Sequence, residues 1–371
     1  MKKKLSVVSV PLKERRYEVV IGENLFGMKL KSLKPQKSKK AVLVSDERLE
    51  KQREVVKAQL SLLGWDVYEI SVLAGEGLKD FEKMNFFYAE LLKARADRHT
   101  TLFALGGGSI GDAAGFVAST YMRGIRWVGL PTTLLAQVDS SIGGKTAVNH
   151  ALAKNLIGTF HQPSAVYCDL QFLRTLSKRE MVSGLGEVIK YGLIYEPKLF
   201  SYIQKNWHAA LQFNTTVLQH LVKSSVQIKA KKVGADEFDR KGLREALNFG
   251  HTFAHALESV TDYKVFQHGE AVIWGQRFAL AVSALQGHLK KKDWQICDEF
   301  LARIEVPQLP THAGFENYYS AMMKDKKIVD GKVRFVLLKK MGRVVLDKNV
   351  EKTTLLKAYE WLVKGEANYG G

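Results

Sequence analysis

The stretch Thr101-Leu102-Phe103-Ala104-Leu105-Gly106-Gly107-Gly108-Ser109-Ile110-Gly111-Asp112 decides how the first half of the chain is read. An apolar run enters a glycine-rich turn, and Ala113–Met122 continues with helical texture. Gly106, Gly108 and Gly111 satisfy G-x-G-x-x-G in the setting that gives the pattern meaning: strand, tight turn, helix start. Backbone N–H groups at a helix N-terminus attract a pyrophosphate, and glycines let it come close. The plain alternative is a tight strand-to-helix turn without a ligand. In an ordinary unit of this kind the acidic ribose ligand follows about 20 residues downstream. Here no Asp or Glu stands between Ala113 and Val138. A dinucleotide bound at this turn must have its ribose held from elsewhere. Asp46, at the end of the apolar run Ala41–Val44, is one candidate.

Outward from this turn, short apolar runs alternate with amphipathic stretches. The spacing predicts strands at Tyr17–Ile21, Ala41–Val44, Asp66–Ile70, Thr101–Leu105, Arg126–Leu130 and Ala165–Asp169, with helices including Leu49–Leu63 and Phe81–Ala94. Such alternation implies a largely parallel sheet with helices on its faces, a Rossmann-like α/β domain. From about Arg174 the texture becomes helical through Leu185–Leu193, Phe200–Trp207, Val217–Lys231, Leu243–Val260 and Ala271–Leu285. Two domains are therefore expected, an α/β domain over 1–173 and a mostly α-helical one over 174–371. Val333–Leu338 reads as a late short strand and Gly365–Gly371 as a frayed tail.

A second loop follows Arg126–Leu130. Pro131-Thr132-Thr133-Leu134-Leu135-Ala136-Gln137-Val138-Asp139-Ser140-Ser141-Ile142-Gly143-Gly144-Lys145-Thr146 gathers hydroxyls, a carboxylate, glycines and a lysine, and Lys154-Asn155 comes soon after. Gly143–Thr146 echoes the end of a P-loop, but position 139 is Asp where the first glycine is required, so a Walker A reading is poor. An anion cradle remains credible, because glycines expose N–H groups and Lys145 adds charge. A plain Gly-rich loop is the structural alternative.

In the second half Arg244, Asn248, His251, His255 and Glu258 share one helical face if the segment is a single helix, and a shorter stripe if Gly250 starts the helix inside the run. His268-Gly269-Glu270 follows, and upstream Gly186-Glu187-Val188-Ile189-Lys190 sets Glu187 and Lys190 one turn apart. Two histidines with one carboxylate make an open, zinc-type site that leaves a position for substrate oxygens. His251 and His255 at i,i+4 look like a metal pair, and spacing alone leaves the third ligand open. Satisfied structural histidines are the alternative.

Composition bounds the rest. The chain has 371 residues, 46% hydrophobic and 25% charged, which excludes collagen-like and disordered classes. Only Cys168 and Cys297 occur, so no disulfide framework and no CxxC zinc site exists. No secretory h-region follows Met1-Lys2-Lys3-Lys4-Leu5, and no apolar run of about 18 residues appears. A reducing, cytoplasmic setting with no membrane partner is expected. The net charge of +18 permits acidic small molecules or nucleic acid. No stretch interleaves aromatic and basic residues, so a basic surface around an anion site is preferred to a nucleic-acid partner.

Taken together these motifs resemble the 3-dehydroquinate synthase family of the sugar-phosphate cyclases, from roughly Gly75 to Leu338. The carriers are Gly106–Asp112, Pro131–Thr146, Lys154-Asn155, Gly186–Lys190, Asn248-Phe249-Gly250-His251-Thr252-Phe253, His268-Gly269-Glu270-Ala271-Val272 and Asp325-Lys326-Lys327. The resemblance implies an N-terminal NAD-binding domain and a C-terminal helical domain. It implies a metal, zinc replaceable by cobalt, held by Glu187, His251 and His268, which makes His255 a substrate residue rather than a ligand. It assigns NAD contacts to Asp46, Glu76, Lys79, Gly108, Ser109, Ile110, Gly111, Asp112, Thr132, Thr133, Lys145, Lys154, Phe172, Leu173, Arg174 and Thr175. It assigns substrate and catalytic roles to Arg123, Asp139, Lys145, Asn155, Lys190, Lys229, Arg244, Asn248, His255 and Lys326, with Lys327 as the alternative to Lys326. The implied substrate is a sugar-acid phosphate, 3-deoxy-D-arabino-heptulosonate 7-phosphate, turned into 3-dehydroquinate and phosphate, and the implied assembly is a homodimer. Two related groups are the alternatives. Metal-dependent polyol dehydrogenases lack the Asp139–Lys145 stretch, and valiolone- or inosose-type cyclases differ at positions matching Arg244, Asn248 and His255. Against the family pattern, Ser109 replaces an apolar residue, Gly186 stands where alanine is common, and the Asp236–Arg244 connection is one residue longer.

Overall fold

The computed structural model describes residues 5–28, 31–35, 37–151, 153–324, 328–329 and 332–364. Contacts divide the chain into two compact units. The first runs to Leu176 and takes in Phe213–Arg240; the second holds Ser177–Gln212 and the residues from Lys241 onward.

In chain order the first unit opens with β1 (Ser6–Val10), β2 (Tyr17–Gly22), β3 (Lys40–Asp46), α1 (Glu50–Leu62), β4 (Asp66–Val72) and α2 (Lys83–Lys93). It continues with β5 (Thr101–Gly106), α3 (Gly108–Thr120), β6 (Arg126–Pro131), β7 (Lys145–His150), β8 (Ala153–Phe160) and β9 (Ala165–Asp169). Seven strands form one sheet in the order β1-β2-β9-β6-β5-β3-β4, parallel except where β1 pairs antiparallel with β2. Alternation along each strand feeds two cores. Val42, Val44, Leu102 and Ala104 face a layer with Met84, Phe87 and Val117, while Leu43, Phe103 and Leu105 face Val56, Leu60 and Trp65. Every residue of β5 is buried, so the glycine turn springs from the middle of the sheet.

The six expected strands and the helices at Glu50–Leu62 and Lys83–Lys93 are present. Two features lay outside the expectation. β1 adds an antiparallel edge, and β7 and β8 pair as a hairpin inside the region read as a loop. The exposure of Asn155, Leu156, Ile157 and Gly158 along β8 removes the alternation that betrays a half-buried strand.

The next helices are α4 (Lys178–Ile194), α5 (Pro197–Leu211) and α6 (Thr215–Ala235). The expected single cut at 173/174 is not how the contacts fall. α6 packs on β1, β2 and the turn Ala136–Ser140, so Phe213–Arg240 belongs with the α/β unit. Buried Val217, Leu221, Val222 and Val226 supply its apolar face.

The second unit adds α7 (His251–Val260), α8 (His268–Leu285), α9 (Lys291–Ala302) and α10 (Gly314–Met323). Then come the short pair β10 (Ile328–Val329) and β11 (Lys332–Val333), the hairpin β12 (Phe335–Lys340) and β13 (Arg343–Asp347), and α11 (Lys352–Lys364). The late strand expected at Val333–Leu338 is therefore β12, while the tail Gly365–Gly371 lies outside the described residues. The helix expected over Leu243–Val260 is broken. A 3-10 turn covers Glu245–Asn248, Gly250 takes a left-handed φ of 79°, and α7 starts at His251. The polar stripe from Arg244 to Glu258 is therefore two pieces on either side of a glycine.

α4 is buried on all sides from Met181 to Ile194, as a helix at the centre of a core must be. Its partner α8 approaches backbone to backbone. A Cβ at Gly186 would stand 2.6 Å from the Gly269 carbonyl oxygen, and one at Gly269 would stand 1.8 Å from that of Ser183. Alanine at position 186 would force α4 and α8 apart. Among the described residues no helix is long and apolar enough to cross a membrane.

Gly269→Ala is expected to destabilise the protein by about 2 kcal/mol or more, because overpacking against a rigid backbone carbonyl cannot relax by rotamer change. Urea unfolding of the variant against the parent measures it, and an unchanged midpoint would contradict the close approach.

Candidate functional site

In the second unit Glu187 on α4, His251 at the start of α7 and His268 at the start of α8 converge. Each offers one ligand atom, and these atoms lie within 4.8 Å of one another. Glu187 Oε1 is 3.5 Å from His251 Nε2 and 3.8 Å from His268 Nε2. These separations are too long for hydrogen bonds and suit donors arranged around an ion. The Glu187 side chain is 1% exposed, and neither carboxylate oxygen accepts a hydrogen bond. Lys190 Nζ, one turn on, forms an ion pair with Oε2. A buried carboxylate oxygen without a donor is costly unless a cation meets it, so the triad fits a divalent metal.

The outer contacts orient the ligands. His251 Nδ1–H donates to the Phe249 carbonyl at 3.2 Å, and His268 Nδ1–H donates to Glu258 Oε1 at 3.0 Å. Each bond leaves Nε2 as the acceptor that a metal needs. Burial opposes a charge on His268, but the Glu258 hydrogen bond and the nearby charges of Glu258 and Glu187 outweigh it and hold its pKa above the ordinary imidazole value. His255 stands beside the triad and outside it, its ring 5.5 Å from that of His251 and 6.2 Å from that of His268. The i,i+4 histidine pair is thus not the ligand pair. The ligand atoms of Glu187 and His268 are the ones that gather with that of His251, and Glu258, the last residue of the expected polar stripe, meets the His268 ring. Arg244 is buried and Asn248 half-buried beside the turn that precedes α7. Lys326 and Lys327 lie outside the described residues.

The first unit carries the glycine turn and three charge constellations. Gly106 ends β5, and Gly108–Asp112 form the first turn of α3. Gly107 has no side chain to meet Thr133, whose methyl would lie 3.1 Å from an added Cβ. The Thr132 N–H donates to the Gly106 carbonyl at 3.0 Å. Ser45 on β3 pairs with Leu105 on β5, so Asp46 arrives beside the glycine turn. An acidic group thus stands at the end of the strand neighbouring the glycine turn.

Lys79 is 3% exposed, and its Nζ meets Asp112 at 2.9 Å, Glu76 at 3.4 Å and the side-chain oxygen of Asn155. An ammonium has three protons, and here it has three partners. Asn149, not singled out from the sequence, donates to Glu76 Oε1 at 2.8 Å and accepts from the Asn155 N–H at 3.1 Å. Burial alone would raise the Glu76 pKa, but the charges of Lys79 and Lys154 and the Asn149 bond hold it low. Burial keeps that of Asp112 raised despite Lys79.

Lys229 on α6, 6% exposed, donates to Asp139 Oδ1 at 2.6 Å and to the Asp139 carbonyl at 2.7 Å. Lys145 pairs with Asp239 at 2.5 Å and lies 5.9 Å from the Phe160 ring centroid. Asp239 falls in the lengthened Asp236–Arg244 connection. Phe172 and Leu173 are buried, with Phe172 stacked on Phe26. Thr175 donates to the Phe172 carbonyl, Arg174 pairs with Glu23, and Arg123 is exposed after α3.

Two changes probe the triad. Glu187→Gln is expected to abolish stoichiometric cobalt binding in equilibrium dialysis, and full occupancy would remove Glu187 from the ligand set. Glu258→Gln is expected to weaken zinc affinity about 10–100-fold, the usual loss when a ligand's outer partner is altered.

Comparison with known proteins extends the geometry. Family models described as "3-dehydroquinate synthase N-terminal" and "3-dehydroquinate synthase C-terminal" match residues 69–183 and 184–328. A 3-dehydroquinate synthase of Pseudomonas savastanoi pv. phaseolicola (strain 1448A / Race 6) is 39% identical over 364 residues, 97% of this chain and 99% of that protein. Among solved structures, 2-deoxy-scyllo-inosose synthase complexed with carbaglucose-6-phosphate, NAD+ and Co2+ superposes with a TM-score of 0.84 at 22% identity, covering 95% of this chain and 99% of the other. The 2-epi-5-epi-valiolone synthase of Streptomyces hygroscopicus subsp. jinggangensis 5008, with NAD+ and Zn2+ bound, superposes with a TM-score of 0.84 at 24% identity, covering 94% and 97%.

Proposed function

The chain belongs to the 3-dehydroquinate synthase family, and from that premise we infer that it converts 3-deoxy-D-arabino-heptulosonate 7-phosphate to 3-dehydroquinate and inorganic phosphate, in the route to aromatic amino acids. The reaction is a transient oxidation, loss of phosphate, reduction, ring opening and an intramolecular aldol closure, with no net redox change. The observation that carries the reading is the Glu187–His251–His268 triad, with its donor-poor carboxylate, in a chain that also bears the glycine turn. When bound, NAD supplies a hydride acceptor that becomes the later donor, and zinc or cobalt supplies a Lewis acid.

The chain's own residues bind, orient and balance charge. The substrate carries a carboxylate and a phosphate, which guanidinium and ammonium groups hold best. We read Lys145, Lys190, Lys229, Arg244 and Lys326 as that set, with Arg123, Asn155 and Asn248 as further polar contacts. Lys229 is held in place by Asp139, and Lys190 by Glu187. His255, half-buried beside the triad, is placed to exchange a proton with a substrate hydroxyl. Asp46, Glu76, Lys79, Gly108–Asp112, Thr132, Thr133, Lys154 and Phe172–Thr175 are read as the NAD site. Phosphate elimination needs a proton taken from the adjacent carbon, and the leaving phosphate itself is the nearest base that the substrate provides. Preorganised charge and position are then the main contributions of the protein. A cytoplasmic homodimer completes the reading.

The deciding experiment follows phosphate release together with absorbance of reduced nicotinamide. Release that requires NAD and metal, without net reduced cofactor, is expected. Steady accumulation of reduced cofactor on simple polyols, without phosphate, would move the chain to the dehydrogenase branch. Arg244→Ala is expected to weaken substrate binding far more than NAD binding, as calorimetric titration of each ligand measures, because an anionic substrate group is its partner; equal losses would contradict that role.

A further inference from the structure

Arg48 stands two residues beyond Asp46, in the short 3-10 turn that leaves β3. Its guanidinium lies across the Asp46 carboxylate, with Nε at 3.0 Å from Oδ1 and Nη2 at 2.7 Å from Oδ2. The Arg48 N–H donates to Oδ1 at 3.2 Å, and Nη2 also donates to the Ala74 carbonyl at 3.3 Å. The exposures are unequal: the Asp46 side chain is 10% exposed and that of Arg48 is 63% exposed. Burial works against the ionised carboxylate, but the hydrogen bonds and charge of Arg48 hold the Asp46 pKa below its ordinary value. The pair is therefore a buried anion capped by an accessible cation.

The sheet gives this pair its position. β3 lies next to β5, and Asp46 follows the residue that pairs with Leu105, immediately before the glycine turn. In dinucleotide sites of this general plan an acidic residue at a neighbouring strand end accepts from the adenosine ribose 2′-hydroxyl, and an arginine nearby accommodates a 2′-phosphate. This chain has both, and the arginine is the outer one. A 2′-hydroxyl reaches the carboxylate only by sharing its oxygens with Arg48. A 2′-phosphate meets an accessible guanidinium suited to bind it, in a chain whose net charge is +18.

We propose that Arg48 lets the site accept the 2′-phosphorylated dinucleotide, NADP, alongside NAD, by presenting its guanidinium to the 2′-phosphate above the covered carboxylate of Asp46. The proposal rests on the reading of the glycine turn as a dinucleotide site. Its reach is the choice of cofactor and not the later chemistry.

Calorimetric titration of the metal-loaded full chain with NAD+ and with NADP+ tests it. The parent is expected to bind NADP+ within about thirty-fold of NAD+. Arg48→Ala removes the guanidinium and leaves Asp46 bare against a dianion. The ratio of the NADP+ to the NAD+ dissociation constant should then rise at least about ten-fold, the size of one charged hydrogen bond. Arg48→Lys, which keeps the charge without the fork, should fall between. A parent that discriminates more strongly against NADP+, or a ratio that moves less in Arg48→Ala, overturns the proposal while tight NAD+ binding leaves the site reading standing. If neither nucleotide binds the parent, the site reading fails and takes the proposal with it.

Discussion

A carboxylate oxygen buried without a hydrogen bond is the constraint on which the helical unit depends. Glu187 is enclosed by its own helix, faces two imidazole nitrogens and has one ammonium at its other oxygen. Left alone, such a group carries the desolvation cost of a buried polar atom without a partner. Lys190 balances one side of the carboxylate, and a divalent ion held with the two histidines would balance the other. The same arrangement explains why the outer shell is as ordered as the inner one. Phe249 and Glu258 each fix a ring nitrogen, and the orientation of both histidines follows from those two bonds.

Bringing that carboxylate to those rings requires helices closer than side chains allow. Gly186 and Gly269 let α4 and α8 touch through their backbones, and Gly275 on α8 sits where a Cβ would be 2.0 Å from the Gly250 carbonyl oxygen. Gly250 serves twice, because its left-handed φ of 79° also ends the preceding turn and aims His251 inward from the first residue of α7. Glycine at position 186 is thus a packing requirement. Ile273, whose side chain lies 3.3 Å from the same added Cβ, fills the space beside it. Where backbone meets backbone, the distance between ligands is set by the peptide itself rather than by adaptable side chains.

Much of this was legible in the sequence, for reasons that differ by element. The strands of the central sheet announce themselves because burial on both faces demands continuous apolar runs, and β5 is the extreme case. The ligand types were legible because Glu, His and His in that chemistry are rare on a solvated helix face. The third ligand was not legible by spacing, because the choice between His255 and His268 turns on where α7 begins, and a single glycine torsion decides that. The β7–β8 hairpin was hidden by its exposed second strand. The allegiance of α6 was hidden because helical periodicity reports that a face is buried and not which unit buries it. The resemblance supplied residue roles, while local geometry supplied what no motif encodes: Asn149, Asp239, the bond from His268 to Glu258 and the Arg48 cap on Asp46.

Those last groups share a physical logic. Four of the cations expected to meet an anionic ligand already hold a carboxylate of the same unit: Lys79 with Asp112, Lys229 with Asp139, Lys145 with Asp239 and Lys190 with Glu187. A buried ammonium without a partner is costly, so these lysines are not left bare. Pairing holds them in position, but it also means that an incoming anion competes with the resident carboxylate rather than with water. The exposed pairs yield most easily. Lys145, with a side chain 55% exposed, can exchange Asp239 for a ligand at little desolvation cost, whereas Lys79 and Lys229, 4% and 7% exposed, cannot leave their partners without losing buried contacts. The buried pairs therefore act as fixed supports that shape the surface, and the exposed cations, Lys145 and Arg48, are the ones whose pairs a ligand's charge disturbs at least cost.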